Sequence, residues 1–372
     1  MQTTFKPETM KLSTLLLIPA LMLNFQWVTG QTDPRQEDFV KVKTPVDING
    51  QWFLAHQTFF DANAIENQFT LKRGYLTFKK DFNETFSVRF TQDITLDQEG
   101  SDAGNIEMRL KYLFLHVNLH ALPLLKNSYV ELGMVSRPWL DFEQEVNDYR
   151  VQGPMFMESF RVIGSADFGL HMVTLLGGEI DDEYQKRVSK SYPGRYGSWS
   201  VGIFNGGGYH ALEFNPNKTI ETRLSLRPFP NRLPGLQFTY HGAFGKGNSP
   251  SSPDFRINQG YISYEAPRLI LAAQAHQGTG NSYGNFMIDD LPFAHRGFHF
   301  FGELYLIEKR LSLLGAYGQF EEDRQGWTAA SRSMAGICYH FLNSQKFLID
   351  VEQYRTPDES RLMLEAVLEI RF

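Results

Sequence analysis

The sequence RLMLEAVLEIRF, residues 361–372, alternates strictly between apolar and charged positions. Its two parities hold Leu362, Leu364, Ala366, Leu368, Ile370 and Phe372 on one side, and Arg361, Glu365, Glu369 and Arg371 on the other. A period of two over this length predicts a β-strand. One face is apolar enough for lipid and the other carries formal charges, which favours the wall of a water-filled barrel over a soluble sheet.

The same alternation recurs along the chain and predicts about sixteen antiparallel strands. They start near Val46, Gln68, Glu84, Ile106, Tyr129, Ala166, Gly197, Thr219, Leu236, Phe255, Arg268, Gly297, Leu311, Ser333, Phe347 and Arg361. An even number places both ends of the barrel on the periplasmic side. Two regions fit poorly, because residues 178–196 are long for a periplasmic turn and residues 137–162 contain no obvious strand. Fourteen or eighteen strands are therefore alternative counts.

The predicted fold class is an all-β transmembrane antiparallel barrel over residues 46–372. After residue 30 no apolar run approaches the ~20 residues of a spanning helix, yet aromatic residues make up 14% of the chain. A soluble β-sandwich also alternates, but its outer positions are not apolar in nearly every segment. The net charge of −6 excludes the basic footprint of a nucleic-acid-binding protein.

The amino-terminal region reads as an export signal. Lys11 precedes an apolar run that ends at the small-residue sequence Val28-Thr29-Gly30, which predicts a signal peptide over residues 1–30 and a short periplasmic lead over residues 31–45. A transmembrane anchor is the alternative. Asn24 and Gln26 interrupt the run and no basic stop-transfer flank follows, so export is the favoured reading.

Three segments, residues 74–97, 130–144 and 194–213, resemble the phosphate-selective porin O/P type of outer-membrane porin, in particular its Bacteroidota members. The resemblance covers most of residues 47–372 and rests on strand and turn signatures. It implies a sixteen-stranded, general or anion-preferring pore in the outer membrane of a Gram-negative bacterium, often trimeric. The aromatic end at Phe372 also resembles the last strand of outer-membrane barrels, which the barrel-assembly machinery reads.

Charges on the inward parity are the candidate pore lining, because water must solvate them. The candidate anion-attracting bases are Arg73, Arg89, Arg109, Lys111, Arg137, Arg223 and Arg227. Candidate acids on the strands include Glu107 and Glu131, with further carboxylates on late strands at Glu303, Asp350, Glu352 and Glu365. Arginine rings favour anions and carboxylate rings favour cations. The early strands are thus predicted to attract anions and the late strands cations, unless these charges merely pair across strands.

Residues 137–162 form the third outward connection if the strand count is right. Four acids, Asp141, Glu143, Glu145 and Asp148, lie in it beside four aromatics, Trp139, Phe142, Tyr149 and Phe156. We expect the aromatics to pack the loop against the barrel wall, so that its acids constrict the pore. An exposed external loop is the alternative.

Other functions find little support in the sequence. The ten His lack ligand spacing and the chain has one cysteine, Cys338, so neither a metal site nor a cofactor is expected. Residues 205–208 are glycine-rich but no helix follows them, and no Ser lies in a hydrolase motif, so catalysis is not expected. The open alternatives are a passive porin, a channel specific for phosphate or another small anion, and a structural or adhesion barrel without an open pore.

Overall fold

A computed structural model describes residues 45–60, 65–97, 103–122, 125, 127–342 and 345–372. The predicted signal peptide and nearly all of the periplasmic lead lie outside the described residues. Within the described residues, sixteen antiparallel strands form one closed barrel, which settles the strand count predicted from the sequence. No helix in the described part of the chain is long and apolar enough to cross a membrane.

The barrel strands follow one another around the wall in chain order. They are β1 (Asp47–Phe60), β2 (Ile65–Asp81), β3 (Phe86–Leu96), β4 (Ile106–Asn118), β5 (Ser128–Ser136), β6 (Ala166–Leu175), β7 (Gly197–Phe204), β8 (Thr219–Leu226), β9 (Leu236–Lys246), β10 (Asp254–Ala266), β11 (Leu269–Thr279), β14 (Ala294–Ile307), β15 (Leu311–Asp323), β16 (Trp327–Phe341), β17 (Gln345–Arg355) and β18 (Ser360–Arg371). A two-stranded hairpin of β12 (Met287–Ile288) and β13 (Leu291–Pro292) lies between β11 and β14.

The last strand closes the barrel by pairing with the first. Gln51 lies opposite Arg371 and Phe60 opposite Leu362, and the Gly50 amide donates a 2.8 Å hydrogen bond to the Phe372 carbonyl. Leu362 and Leu364 are exposed on the outer surface, whereas Glu365 and Glu369 are buried in the interior. The alternation of residues 361–372 therefore sorts apolar side chains outward and charges inward, as expected.

One strand departs from the simple alternation. A β-bulge in β4, opposite the Thr91 to Gln92 step of β3, shifts the register so that Tyr112 faces the interior with Phe114. Leu113 is exposed on the outer surface instead. Strict alternation from Ile106 would place Tyr112 and Phe114 on the outer face with Met108, but one extra residue flips every later side chain to the other face.

Both ends of the described barrel and its short turns lie at one rim, and most long connections lie at the other. Short turns on one side are periplasmic in barrels of this kind, so the opposite rim is external. Two long connections enter the lumen. Loop L3, residues 137–165, comes from the external rim and contains α1 (Pro138–Val146) and α2 (Phe156–Ser159). The inner segment, residues 176–196, comes from the periplasmic rim and contains α3 (Asp182–Arg187).

Candidate functional site

Loop L3 enters the lumen through a buried ion pair. Arg137, its first residue, places its guanidinium Nε 2.7 Å from a Glu221 carboxylate oxygen on β8, and both side chains are 0% exposed. The other oxygen of Glu221 accepts hydrogen bonds from the Trp139 backbone amide at 3.0 Å and lies 3.1 Å from the His241 ring. Glu221 thus fixes the start of α1. Arg137 was predicted to line the pore. In the structure its buried guanidinium is paired with Glu221, so Arg137 anchors L3 to β8 instead.

Aromatic side chains hold L3 against the wall. Trp139 packs edge-on against Tyr261 with ring centroids 5.1 Å apart, and Phe156 stacks on His299 at 5.1 Å. Phe142 and Tyr149 are buried as well. Rings packed in this way gain both buried area and favourable edge or stacked geometry. The expected packing of the loop by its aromatics is present, and the loop is not an external one.

L3 covers the carboxylates of the late strands. Tyr149 donates a hydrogen bond to Glu303 of β14, and Gln152 donates one to Glu352 of β17. Asp350 and Glu365, which lie opposite each other on β17 and β18, are buried. The loop and its partners therefore cover most of the acidic wall predicted to attract cations, and of these four carboxylates only Glu303 still lines the lumen cavity.

The wall formed by β2, β3 and β4 carries a cluster of bases, of which Arg73, Arg89 and Arg109 are half-buried and Lys111 is buried. Arg73 and Arg109 flank Asp93 at 3.4 Å and 3.2 Å, and remain 27% and 23% exposed. Arg89 lies over the Tyr112 ring, with its guanidinium carbon 4.6 Å from the centroid. Lys111 reaches the Tyr75 hydroxyl at 3.2 Å. Among the described residues no carboxylate comes within 4 Å of Arg89 or Lys111, so this wall keeps a net positive charge.

Two further predicted bases are structural. Arg223 is fully buried, and its guanidinium lies 4.4 Å from both the Phe142 ring of L3 and the Tyr192 ring of the inner segment. Arg227 is buried beside Tyr184 and donates to the Pro234 carbonyl. Cation–π contacts of this kind favour a desolvated guanidinium. These arginines join the inserted segments to the wall and do not line open water.

The acids of L3 have separate environments. Asp141 and Glu145 accept hydrogen bonds from Tyr192 and Ser191 of the inner segment. Asp148 pairs with Lys346 and Arg371, each at 2.7 Å. Glu143 is buried and accepts a 2.7 Å hydrogen bond from Gln274 of β11. Three of the four acids thus face the inner lumen, and Glu143 faces the wall.

The two predicted strand acids lie beside bases. Glu107 is half-exposed at 3.6 Å from Arg109. Glu131 is buried between His116 at 3.1 Å and His171 at 3.6 Å. Neither carboxylate stands alone in the lumen, so cross-strand pairing describes both.

A cavity of about 770 Å³ occupies the periplasmic half of the lumen. Arg89 and Lys111 line one side, Asp141 and Glu145 of L3 form part of its boundary, and Lys346 lines the opposite side. Arg150 of L3, which also lines this cavity, comes within 3.4 Å of the Tyr75 hydroxyl on β2. L3 therefore reaches across the lumen to the basic wall.

Sequence reasoning missed Arg150, Tyr75 and the inner segment. In the sequence, Arg150 is a base in a loop rich in acids. Its two terminal guanidinium nitrogens donate to the carboxylate of Glu158, eight residues away. No local pattern indicates that Tyr75 receives Arg150 and Lys111 together. The inner segment could have been suspected from its length alone.

Burial raises the pKa of Glu143 to about 8, from an ordinary value of 4.5. The folded state therefore keeps a proton that the unfolded state releases as pH rises from 4.5 to 8, and stability falls over this window by about 1.4 kcal/mol per pH unit. We expect Glu143→Gln to match the wild type in urea unfolding at pH 4 and to exceed it at pH 8. Glu183→Gln, on exposed α3, should change stability little at either pH. A pH-independent difference between Glu143→Gln and wild type would contradict this origin of the shift.

No group of three or more His, Cys, Asp or Glu that could hold a metal ion occurs in the described ranges. Cys338 is buried.

The comparisons with known proteins agree on the fold. No family model and no curated relative matches the sequence. Among solved structures, the anion-selective porin from Comamonas acidovorans matches with TM-score 0.60, 10% identity and coverage of 88% of this chain and 99% of that one. The outer membrane channel DcaP of Acinetobacter baumannii matches with TM-score 0.57, 12% identity and coverage of 88% and 98%. The trimer form of OmpT, an outer membrane protein of Vibrio cholerae, matches with TM-score 0.53, 9% identity and coverage of 88% and 99%.

At these identities the likeness shows the fold alone. The chain has the sixteen-stranded barrel fold that these outer-membrane proteins share, and its apolar outer surface fits a membrane. This confirms the predicted fold class and the expected location in the outer membrane of a Gram-negative bacterium. The resemblance to the phosphate-selective O/P type stays a prediction.

Proposed function

We propose that the chain forms a water-filled outer-membrane pore for passive diffusion of small hydrophilic solutes and ions, with a preference for anions. One observation carries the proposal. L3 lies against the acidic wall of β14, β17 and β18, so that of the wall carboxylates Glu303, Asp350, Glu352 and Glu365 only Glu303 lines the lumen cavity. Arg89 and Lys111 of the basic wall line the same cavity. A positive lining lowers the energy of an anion in the pore.

Phosphate is the solute we propose for the preference. Arg89 and Lys111 have no carboxylate within 4 Å among the described residues, and they line the same cavity. Phosphate carries more charge than chloride and can accept several hydrogen bonds from such donors. It should therefore linger near this wall and reduce the chloride current, which a passive general porin would not show.

A structural barrel without an open pore is the second candidate. The contact of Arg150 with Tyr75 favours it, because this contact bridges L3 and the opposite wall across the lumen. A closed barrel would give no single-channel steps in a planar bilayer. The same recording therefore separates the two candidates before selectivity is tested.

Charge reversal at Arg89 tests the anion preference. Two elementary charges change in Arg89→Glu, and each is worth about 1 kcal/mol at 4 Å in bulk water. About 2 kcal/mol corresponds to roughly thirtyfold for an ion at this distance, so we expect the anion-to-cation permeability ratio, measured as reversal potential in a KCl gradient, to fall at least about tenfold at low salt and less at 1 M, where the Debye length is about 3 Å. Phosphate block should weaken in parallel.

The matched control is Arg232→Glu, since Arg232 is exposed in the periplasmic turn between β8 and β9. It changes the same charge outside the lumen and should leave the reversal potential unchanged. Equal reversal potentials for wild type and Arg89→Glu would remove the basic wall as the source of selectivity.

Two partners belong to the same proposal. The barrel-assembly machinery would recognise the terminal strand that ends in Phe372, whose side chain is exposed. A homotrimer is proposed by analogy with the trimer form of one structural neighbour. Crosslinking of the purified barrel would test the second of these directly.

A further inference from the structure

A row of polar side chains crosses the outer surface of four neighbouring strands near the external rim. Asn258 of β10 lies directly opposite Gln277 of β11, which lies opposite Arg296 of β14, and Arg296 lies opposite Glu321 of β15. Residues that alternate with this row, such as Gln259, point into the barrel and are buried. The row itself therefore faces the membrane. Each member lies within five residues of the external end of its strand.

Below this row the wall is concave. Small residues form the floor and aromatic side chains form the sides: the floor holds Gly260, Ala275, Ala273, Gly302 and Gly315, and the sides hold Tyr240, Phe298, Phe300 and Tyr317. Two neighbouring cavities of about 570 Å³ and 690 Å³ make up the groove. A Cβ atom built on Gly260 meets nothing within 4 Å, so the groove above this glycine is open.

The guanidinium of Arg296 is held through its Nε atom, which leaves its two terminal nitrogens available to a ligand. Its Nε lies 2.6 Å from Glu321, and its guanidinium carbon lies 4.4 Å from the centroid of the Trp327 ring. Its two terminal nitrogens have no partner among the described residues, and the side chain is 59% exposed. A guanidinium fixed in this way presents a planar pair of donors, which matches the geometry of phosphate.

The geometry points to a binding site for one outer-leaflet glycolipid of the lipid A type. Its phosphate would bind Arg296, its sugar hydroxyl and amide groups would bind Asn258 and Gln277, and one acyl chain would lie in the groove over Gly260 and Ala275. Acyl chains alone cannot satisfy the amides and charges of the row, whereas a phosphorylated sugar can.

The order of the features along the groove supports a lipid in particular. The polar row lies at the external end, and the apolar floor continues from it toward the middle of the membrane. A lipid of the outer leaflet has the same order, with its headgroup at the external surface and its chains inward. Tyr240 and Tyr317 add hydroxyl groups near the headgroup end, where they bind Asn258 at 2.9 Å and Gln319 at 3.5 Å.

Native mass spectrometry of the purified full barrel, titrated with bisphosphorylated lipid A, tests the site. We expect one lipid A to stay bound to the wild type, with binding roughly tenfold weaker in Arg296→Gln, as the loss of hydrogen bonds to a charged group implies. Gly260→Leu fills the groove without a clash in the wall and should abolish retention. Dephosphorylated lipid A should bind the wild type as weakly as lipid A binds Arg296→Gln.

The control is Arg195→Gln, the same substitution at the periplasmic rim, which should bind lipid A like the wild type. Heat-modifiable migration and channel conductance, unchanged in all variants, would show that each barrel is folded. Absence of retained lipid A in the wild type, or equal binding by Arg296→Gln, would overturn the site. Disulfide crosslinking of Gln277→Cys barrels to one another would assign the groove to a second copy and would overturn it too.

Discussion

Replacement of Arg137 by alanine should lower the free energy of unfolding by about 3–5 kcal/mol, the range for breaking a buried ion pair by removing one partner. Arg137 and Glu221 are both 0% exposed, and the variant leaves the Glu221 charge with only the Trp139 amide and the His241 ring. Urea unfolding in lipid vesicles, followed by tryptophan fluorescence, measures the loss.

The double variant Arg137→Met with Glu221→Leu separates an unpaired charge from lost packing. Because neither charge is then buried, it should be more stable than Arg137→Ala. Arg195→Ala, which removes an exposed guanidinium, should change stability by well under the loss in Arg137→Ala. If Arg137→Ala unfolds at the wild-type urea concentration, the ion pair does not anchor L3.

The strands were predictable because side-chain alternation is local. Whether a residue faces lipid or water is visible from its own polarity, without knowledge of any distant partner. For this reason each predicted strand start, from Val46 to Arg361, falls in or within a few residues of a strand. The bulge that turns Tyr112 inward was not predictable in this way. One extra residue leaves the alternation on each side of the bulge intact and changes only which face of the sheet the later residues occupy.

The site was less predictable than the wall. The alternation identified Arg73, Arg89 and Arg109 as inward-facing charges. It could not distinguish them from Arg137, which is also an arginine but is buried in an ion pair with Glu221. The partner of Arg137 is 84 residues away in the sequence, and the two meet only when the barrel closes. Long-range pairing of this kind decides which inward charges remain accessible to solutes, and it leaves no trace in a short stretch of sequence.

L3 accordingly influences both the width of the lumen and the charge of its lining. It brings Tyr149 and Gln152 to the carboxylates of β14 and β17, and it brings Arg150 to the opposite wall. The same loop thus narrows the pore, covers carboxylates of the late strands and adds its own acids Asp141, Glu145 and Asp148 to the lining. A variant without the loop should change conductance and selectivity together, which a loop that only narrows the pore would not do.

Replacement of residues 140–163 by a short Gly/Ser linker tests this coupling. Ser136 and Ala166 lie directly opposite each other at the ends of β5 and β6, so a short linker can join them, and Arg137 and Trp139 stay in place to satisfy Glu221. We expect single-channel conductance in a planar bilayer to rise several-fold, because the segment that crosses the lumen is gone.

Selectivity should change in the same variant, because Glu303 loses its L3 partner Tyr149 and faces water while three lumen-facing acids leave with the loop. Glu352 stays paired with Arg332 at 2.7 Å and should not contribute to the change. A Gly/Ser replacement of residues 211–214, in an exposed external connection, is the matched control and should leave both readouts near the wild type. Unchanged conductance would place the narrow point at the inner segment instead. A wider pore with unchanged selectivity would mean that the acidic wall stays neutralised by Lys72, Arg332, Lys346 and Arg371 even without the loop.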